Sequence, residues 1–232
     1  MEGKISRRNF EVKAKEGKMI KKGLIVGIML IASVSFSQDW KKHSIVIADF
    51  ENDEDYEMRG WNSKGASHRV SFSTEQVKNG KKSLKIDYTF NPEIPGVKYW
   101  THWWSNKEID PILSSAFKEG VKTLGIGMWI YGDKSGNTFL VRMGDKYGET
   151  WNVFWKIDWE GWKFVETEIK KGKKGISYYG GKKGYRGVVD YPLRLLCIEF
   201  DFKGGSIKGT IYIDDITLFT DKEVETKIMI FK

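Results

Sequence analysis

The chain has 232 residues, of which 40% are hydrophobic and 14% aromatic, with ten tryptophans. This hydrophobic content is sufficient for a packed core and excludes an intrinsically disordered chain. The length allows one domain of sandwich or barrel size or two small ones. A single cysteine excludes a disulfide scaffold and a thiolate metal cluster. The formal net charge of +8 would favour a nucleic-acid ligand only if the folded part carried it.

The amino-terminal 37 residues carry much of that charge. They contain eight basic and three acidic residues, and residues 23–36 form an uncharged apolar run of 14. Such a run is short for a membrane span and typical of a signal peptide. We therefore expect residues 1–37 to be an export leader, with Met19 as an alternative start and no membrane span left after removal. Ser6–Phe10 also matches the core of a twin-arginine export motif, and a membrane-anchoring helix is a further alternative.

Beyond Ile45, apolar residues recur at every second position, as in residues 84–90, 124–131 and 139–143. This period is typical of half-buried strands. Turns rich in Gly and Asn separate the runs, for example at residues 132–137. Many short strands with such turns predict an all-β fold, a two-sheet antiparallel β-sandwich of the jelly-roll type.

One domain is expected over residues 38–220, with residues 221–232 as a carboxy-terminal tail or an edge strand. A single helix is suggested at residues 109–119. Residues 170–187, rich in Gly, Lys and Tyr, are predicted to form a long loop rather than a strand. Cys197 lies in an apolar stretch and is expected to be a small buried hydrophobe.

Aromatic residues supply the candidate ligand-binding groups. Trp129 and Tyr131 fall opposite the aliphatic face of their strand, beside Gly125 and Gly127, which would leave room above the sheet. Displayed rings suit stacking on the apolar faces of sugars, while neighbouring polar groups fix orientation. The candidate set is Trp100, His102, Trp104, Trp129, Tyr131, Arg142, Tyr178 and Tyr179. By contrast, Trp151, Val153, Trp155 and Ile157 share one face and are expected to lie in the core.

Signals for catalysis are weaker. Asp145, Glu149, Asp158 and Glu160 contain candidates for a glycosidase carboxylate pair, but no spacing selects two of them. His102 with Tyr99 or Arg142 would suit a polysaccharide lyase. The sequence has no nucleophile elbow, zinc-binding His-Glu-x-x-His or phosphate loop.

Oxygen-rich segments open and close the domain at residues 49–55 and 213–216. Carboxylate and carbonyl oxygens are the ligands that calcium prefers. The first and last strands of a sandwich can lie side by side, which would bring the two segments together. A solvated acidic turn is the alternative interpretation.

The order of five short motifs carries a family resemblance. They are Asp49-Phe50-Glu51, residues 79–88, residues 128–133, residues 161–165 and residues 209–216. The series resembles the galactose-binding-like jelly-roll carbohydrate-binding modules of bacterial glycan-degrading systems. The resemblance implies a structural calcium held by Glu51, by the loop from Asn79 to Lys81 through backbone oxygens, and by Asp214 or Asp215.

These patterns and the resemblance together predict an exported, non-catalytic carbohydrate-binding protein that is secreted, periplasmic or at the cell surface. Its expected partners are a polysaccharide or oligosaccharide, with glycan-degrading enzymes or cell-surface components as associates and no nucleic acid. Two alternatives stay open. One is a structural cell-surface protein of the flagellar filament outer-layer type, and the other is a polysaccharide lyase or glycoside hydrolase.

Overall fold

A computed structural model describes residues 39–53, 58–93, 100–105, 120–180 and 186–224, with the backbone alone at residues 39, 58, 59, 100 and 102–105. The predicted leader, the suggested helix at residues 109–119 and most of the predicted tail lie outside the described residues. In the described part, no helix has the length and apolar character needed to cross a membrane.

Apart from a short 3-10 turn at Asp39–Lys41, the described elements are strands. In chain order they are β1 (His43–Ala48), β2 (Met58–Asn62), β3 (Ala66–Ser73), β4 (Ser83–Phe90), β5 (Trp100–Ser105), β6 (Thr123–Asp133), β7 (Thr138–Gly144), β8 (Glu149–Lys156), β9 (Glu160–Glu168), β10 (Ile176–Gly180), β11 (Arg194–Asp201) and β12 (Lys208–Thr220).

The strands form two antiparallel sheets. Sheet A has the order β3-β4-β12-β6-β9, with β1 beside the second half of β12, and sheet B has the order β10-β8-β7-β11-β5-β2. The predicted two-sheet antiparallel sandwich is therefore confirmed. The first and last strands are neighbours, with His43 opposite Thr220.

The core lies between the two sheets and follows the predicted alternation. Sheet A contributes buried residues such as Ile86 and Met128, and sheet B contributes Val141 and Trp151. Val153 and Ile157 are buried as expected, and Trp155 packs against the same core. Cys197 is also buried, and burial raises the pKa of its thiol to about 11, which keeps it protonated and unreactive.

The prediction of a continuous loop over residues 170–187 is wrong, because Ile176–Gly180 forms β10 at the edge of sheet B. The strand pairs with β8, where Ile176 lies opposite Val153 and Tyr178 lies opposite Trp151. The flanking Gly and Lys residues concealed a short alternation in which one face packs on the core.

The room expected above Gly125 and Gly127 is already occupied. A Cβ at Gly125 would lie 2.5 Å from the Trp40 ring, and one at Gly127 would lie 2.8 Å from Phe164. The glycines therefore let aromatic rings of the chain itself approach sheet A, so they do not form an open groove.

Aromatic contacts between Phe200 on sheet B and Tyr88 and Phe90 on sheet A join the two halves of the core. The Phe200 ring centroid lies 4.5 Å from that of Tyr88 and 6.1 Å from that of Phe90.

Phe200→Ala should lower the free energy of unfolding by about 3–5 kcal/mol, because a large ring is removed from a closed core. Denaturant unfolding measures this value. Val188→Ala at an exposed position should stay within about 0.5 kcal/mol of wild type, and equal losses for both variants would contradict this description of the core.

Candidate ligand-binding face

Among the side chains that the structure describes, three exposed aromatic ones lie on the outer face of sheet B. Trp61 on β2 is 54% exposed, Phe154 on β8 is 38% exposed and Tyr179 on β10 is 41% exposed. Directly paired residues on neighbouring antiparallel strands point to the same side of a sheet. Phe154 pairs with Leu140, which pairs with Glu199, so these three side chains share the outer face.

A chain of polar side chains crosses the same face between these rings. Arg142 on β7 lies beside Asn152 on β8, with Nε donating to Oδ1 at 3.1 Å, and forms an ion pair with Glu199 on β11, with Nη2 3.1 Å from Oε2. Asn152 Nδ2 donates to Ser177 Oγ on β10 at 3.3 Å. The guanidinium of Arg142 also lies 5.9 Å from the centroid of the Tyr179 ring. Four adjacent strands thus position one connected set of hydrogen-bonding groups.

Glu199 is the most perturbed group of this set. It is only 7% exposed, and burial raises the pKa of its carboxyl to about 7, with Asp201 adding to the effect and Arg142 opposing it. Asp201, two residues along the strand, forms its own ion pair with Lys203 at 3.1 Å. The face therefore holds two ion pairs, and its net charge rises by one unit when Glu199 binds a proton.

Of the predicted ligand-binding residues, Arg142 and Tyr179 lie together on this face. Tyr178 points the other way, because its ring stacks on buried Trp151 with the centroids 5.1 Å apart. The backbone of Trp100, His102 and Trp104 belongs to β5, between β11 and β2 in sheet B. Their side chains lie outside the described part of the structure.

Trp129 and Tyr131 do lie opposite the core, as predicted, but on the outer face of sheet A. Trp129 packs against Phe164 at 5.2 Å and under the ammonium group of Lys78 at 4.1 Å. Tyr131 contacts Trp162 and Tyr212 edge-on at 5.6 and 5.8 Å. The structure does not bring these two residues together with Arg142, since the whole sandwich separates them.

Sequence reasoning missed Trp61, Asn152, Phe154 and Glu199. Asn152 and Phe154 alternate with the predicted core residues Trp151 and Val153, so the same pattern already placed them on the outer face. Glu199 had no such signal, because its importance depends on the pairing of β11 with β7.

Two of the four carboxylates considered as candidates for a glycosidase pair have structural partners. Asp145 Oδ1 accepts the backbone N–H groups of Tyr147 and Glu149, each at 2.9 Å. Glu149 is buried and accepts the N–H of Gly187 at 2.8 Å. These two residues fix a turn and a loop, whereas Asp158 and Glu160 are exposed on the surface.

The segments predicted to hold calcium meet around one loop. Glu51 Oε1 accepts the backbone N–H groups of Lys81 at 2.8 Å and Lys82 at 3.0 Å, which lowers the pKa of its carboxyl. From the other side, Asp214 Oδ2 accepts the N–H groups of Lys78 at 2.9 Å and Asn79 at 3.0 Å. The Asn79 side chain donates to the Asp215 carboxylate.

This arrangement fits a cation in part. The second oxygen of Asp214, Oδ1, is buried and has no hydrogen-bond partner within the described residues, and such an atom is suited to a cation. The Glu51 carboxylate, however, already accepts backbone N–H groups, so its oxygens are used for hydrogen bonds rather than held open for a metal ion. Over the described ranges, no cluster of three or more His, Cys, Asp or Glu side chains has the geometry of a metal site.

No protein-family model matches the sequence, and no curated protein matches it. Solved structures do match in fold. The family 11 carbohydrate-binding module CtCBM11, studied in solution, is 17% identical, with a TM-score of 0.52 over 76% of this chain and 95% of that module. A family 11 module from Clostridium thermocellum, in complex with a β-1,3-1,4-mixed-linked tetrasaccharide, is 16% identical, with a TM-score of 0.49 over 78% of this chain and 98% of that module. The predicted resemblance to the β-sandwich fold of carbohydrate-binding modules is confirmed.

The environment of Asp214 makes a pH-dependent stability prediction. Burial raises the pKa of this carboxyl from 3.8 to about 6. Because this pKa is higher in the folded than in the unfolded state, proton binding favours the folded state at low pH. This contribution to the free energy of unfolding is lost as the pH rises through the folded-state pKa. In chelator-treated protein, the free energy of unfolding of wild type relative to Asp214→Asn should therefore fall between about pH 4 and pH 7. Urea titrations at several pH values measure the difference, and a constant difference would contradict the burial of this charge.

Proposed function

We propose that the chain is an exported, non-catalytic carbohydrate-binding protein whose outer face of sheet B holds a polysaccharide. The observation that carries the proposal is the coincidence of Trp61, Phe154 and Tyr179 with the polar chain centred on Arg142. Aromatic rings stack on the apolar faces of sugar rings, and a few placed polar groups bond to the hydroxyls.

The size of the face favours a polymer over a single sugar. Tyr179 lies on one edge strand of sheet B and Trp61 lies on the other. Six strands spaced by about 4.8 Å span roughly 24 Å. Rings at both edges, with hydrogen-bonding groups between them, suit an extended run of sugar units.

The proposal assigns β5 to the same site. This strand lies between β11, which carries Glu199, and β2, which carries Trp61. Trp100, His102 and Trp104 are accordingly proposed as further ligand contacts. Trp129 and Tyr131 are left out of this site because they belong to the other sheet.

Two further features support the proposal. The fold is that of a carbohydrate-binding module by its likeness to CtCBM11, and the predicted leader would deliver the protein to a compartment where polysaccharides are found. Its proposed associates are glycan-degrading enzymes or cell-surface components.

Calorimetric titration tests the proposal. The panel contains neutral polysaccharides (β-glucans, xylans and mannans) and charged polyuronates. Tyr179→Ala and Trp61→Ala should each weaken binding by about tenfold or more, as loss of a large aromatic contact at a binding site commonly does. Tyr131→Ala and Trp162→Ala on sheet A are matched aromatic controls that should keep wild-type affinity, provided thermal melting confirms their fold.

Three outcomes would overturn the proposal. Absence of heat with every glycan would favour a structural surface protein. Loss of binding only in the sheet A variants would place the ligand on the opposite face. Release of new reducing ends from any member of the panel would show catalysis.

We also propose that calcium stabilises the loop at residues 78–82. Asp214 and Asp215, with backbone carbonyls of the loop, would hold the ion, while Glu51 fastens the loop through its N–H groups. Calcium should raise the melting temperature of chelator-treated protein, because a ligand bound only by the folded state stabilises it. Asp214→Asn should abolish the increase, and Asp53→Asn, in the opening acidic segment but outside the proposed ligand set, should preserve it. An unchanged melting temperature in wild type would refute the site.

A further inference from the structure

The charges around Arg142 on the outer face of sheet B are already paired before a ligand arrives, whereas Lys156 and Arg194 on the same face are exposed. Arg142 contacts Glu199 through Nη2 and Asn152 through Nε, each at 3.1 Å. Lys203 is paired with Asp201 at 3.1 Å. The two cations and two carboxylates of this row therefore balance, and neither cation is available to an incoming anion without breaking a contact.

The cost of breaking the Arg142–Glu199 contact is set by burial. Glu199 is nearly inaccessible, whereas the Arg142 side chain is 27% exposed. A ligand carboxylate that recruited Arg142 would leave Glu199 charged, buried and unpaired, beside Asp201, a second carboxylate. Removing one partner of a buried pair is strongly unfavourable. A hydroxyl, by contrast, can bond to Arg142, Asn152 and Ser177 while the ion pair stays intact.

We propose that Glu199 is a specificity-determining residue: its ion pair with Arg142 makes the part of the outer face of sheet B around Arg142 select uncharged sugar units over uronates. This inference rests on the proposed function, since it names the substrate class of that site. Selectivity would arise by repulsion of the wrong ligand as well as by attraction of the right one.

The test compares two ligands of equal length by calorimetry at pH 8.5. They are a tetrasaccharide fragment of the neutral polysaccharide that binds most tightly in the panel above and a galacturonate tetramer. At this pH Glu199 is ionised, and wild type should bind the neutral ligand at least tenfold more tightly. Glu199→Gln frees the Arg142 charge and should shift the ratio of affinities towards the galacturonate by at least tenfold.

Two controls separate this effect from a change in net charge. Glu166→Gln removes one carboxylate from the outer face of sheet A, where it pairs with Lys41, and should leave the ratio unchanged. Arg142→Gln combined with Glu199→Gln should lose the gain, because the freed cation is then absent.

The dependence of binding on pH gives a second measurement. Glu199 faces Asp201 along β11, Arg142 from β7 and Lys203 beyond the strand, and its backbone partner on β5 is His102. Lowering the pH to 5.5 protonates Glu199 and should move wild type towards the galacturonate, whereas Glu199→Gln should show no such movement. A shift that persists in Glu199→Gln would assign the effect to another group such as His102 and overturn the inference.

The outcomes distinguish this inference from the proposed function. If wild type binds no glycan of the panel, the proposed function fails. If wild type at pH 8.5 binds both tetramers equally, the proposed function stands and the role of Glu199 is refuted. An unchanged ratio in Glu199→Gln would refute that role as well.

Discussion

The two sheets depend on one constraint, the packing of their inner faces through rings that leave little freedom of register. Phe200 on β11 meets Tyr88 and Phe90 on β4 between the two sheets. In a strand, successive side chains point to opposite faces. Once Phe200 and Ile198 are fixed inward, Glu199 must lie outward, and the same holds for Arg142 between Val141 and Met143. The position of every polar group on the outer face of sheet B is thus a consequence of the core.

Burial gives those polar groups their chemistry. Glu199 is almost covered although it lies on an outer face, so burial raises the pKa of its carboxyl, and the ion pair with Arg142 stabilises the charged form. Asp214 shows the same behaviour at the far side of the sandwich, where a buried carboxylate holds the loop at residues 78–82. Both groups carry charge where solvent cannot compensate it, and in each case we infer a function from that cost.

The alternation of residues predicted much of this arrangement. It identified Trp151, Val153 and Ile157 as core and placed Trp129, Tyr131 and Arg142 opposite it. It could not assign a strand to a sheet. The consecutive strands β6 and β7 belong to different sheets because β6 pairs with β12 and β7 pairs with β11, and pairing between strands so distant in sequence leaves no local signal. Hence Trp129 and Arg142, which look like neighbours in the sequence, lie on opposite sides of the molecule.

The proposed glycan-binding site is the outer face of sheet B. Backbone amide chemical shifts, recorded while a neutral oligosaccharide is titrated into isotope-labelled protein, test it directly. A glycan bound there should perturb mainly the amides of β7, β8, β10 and β11 and the indole signal of Trp61, and it should leave the amides of β6 and β9 unchanged. Perturbations confined to β6 and β9, around Trp129 and Tyr131, would contradict it.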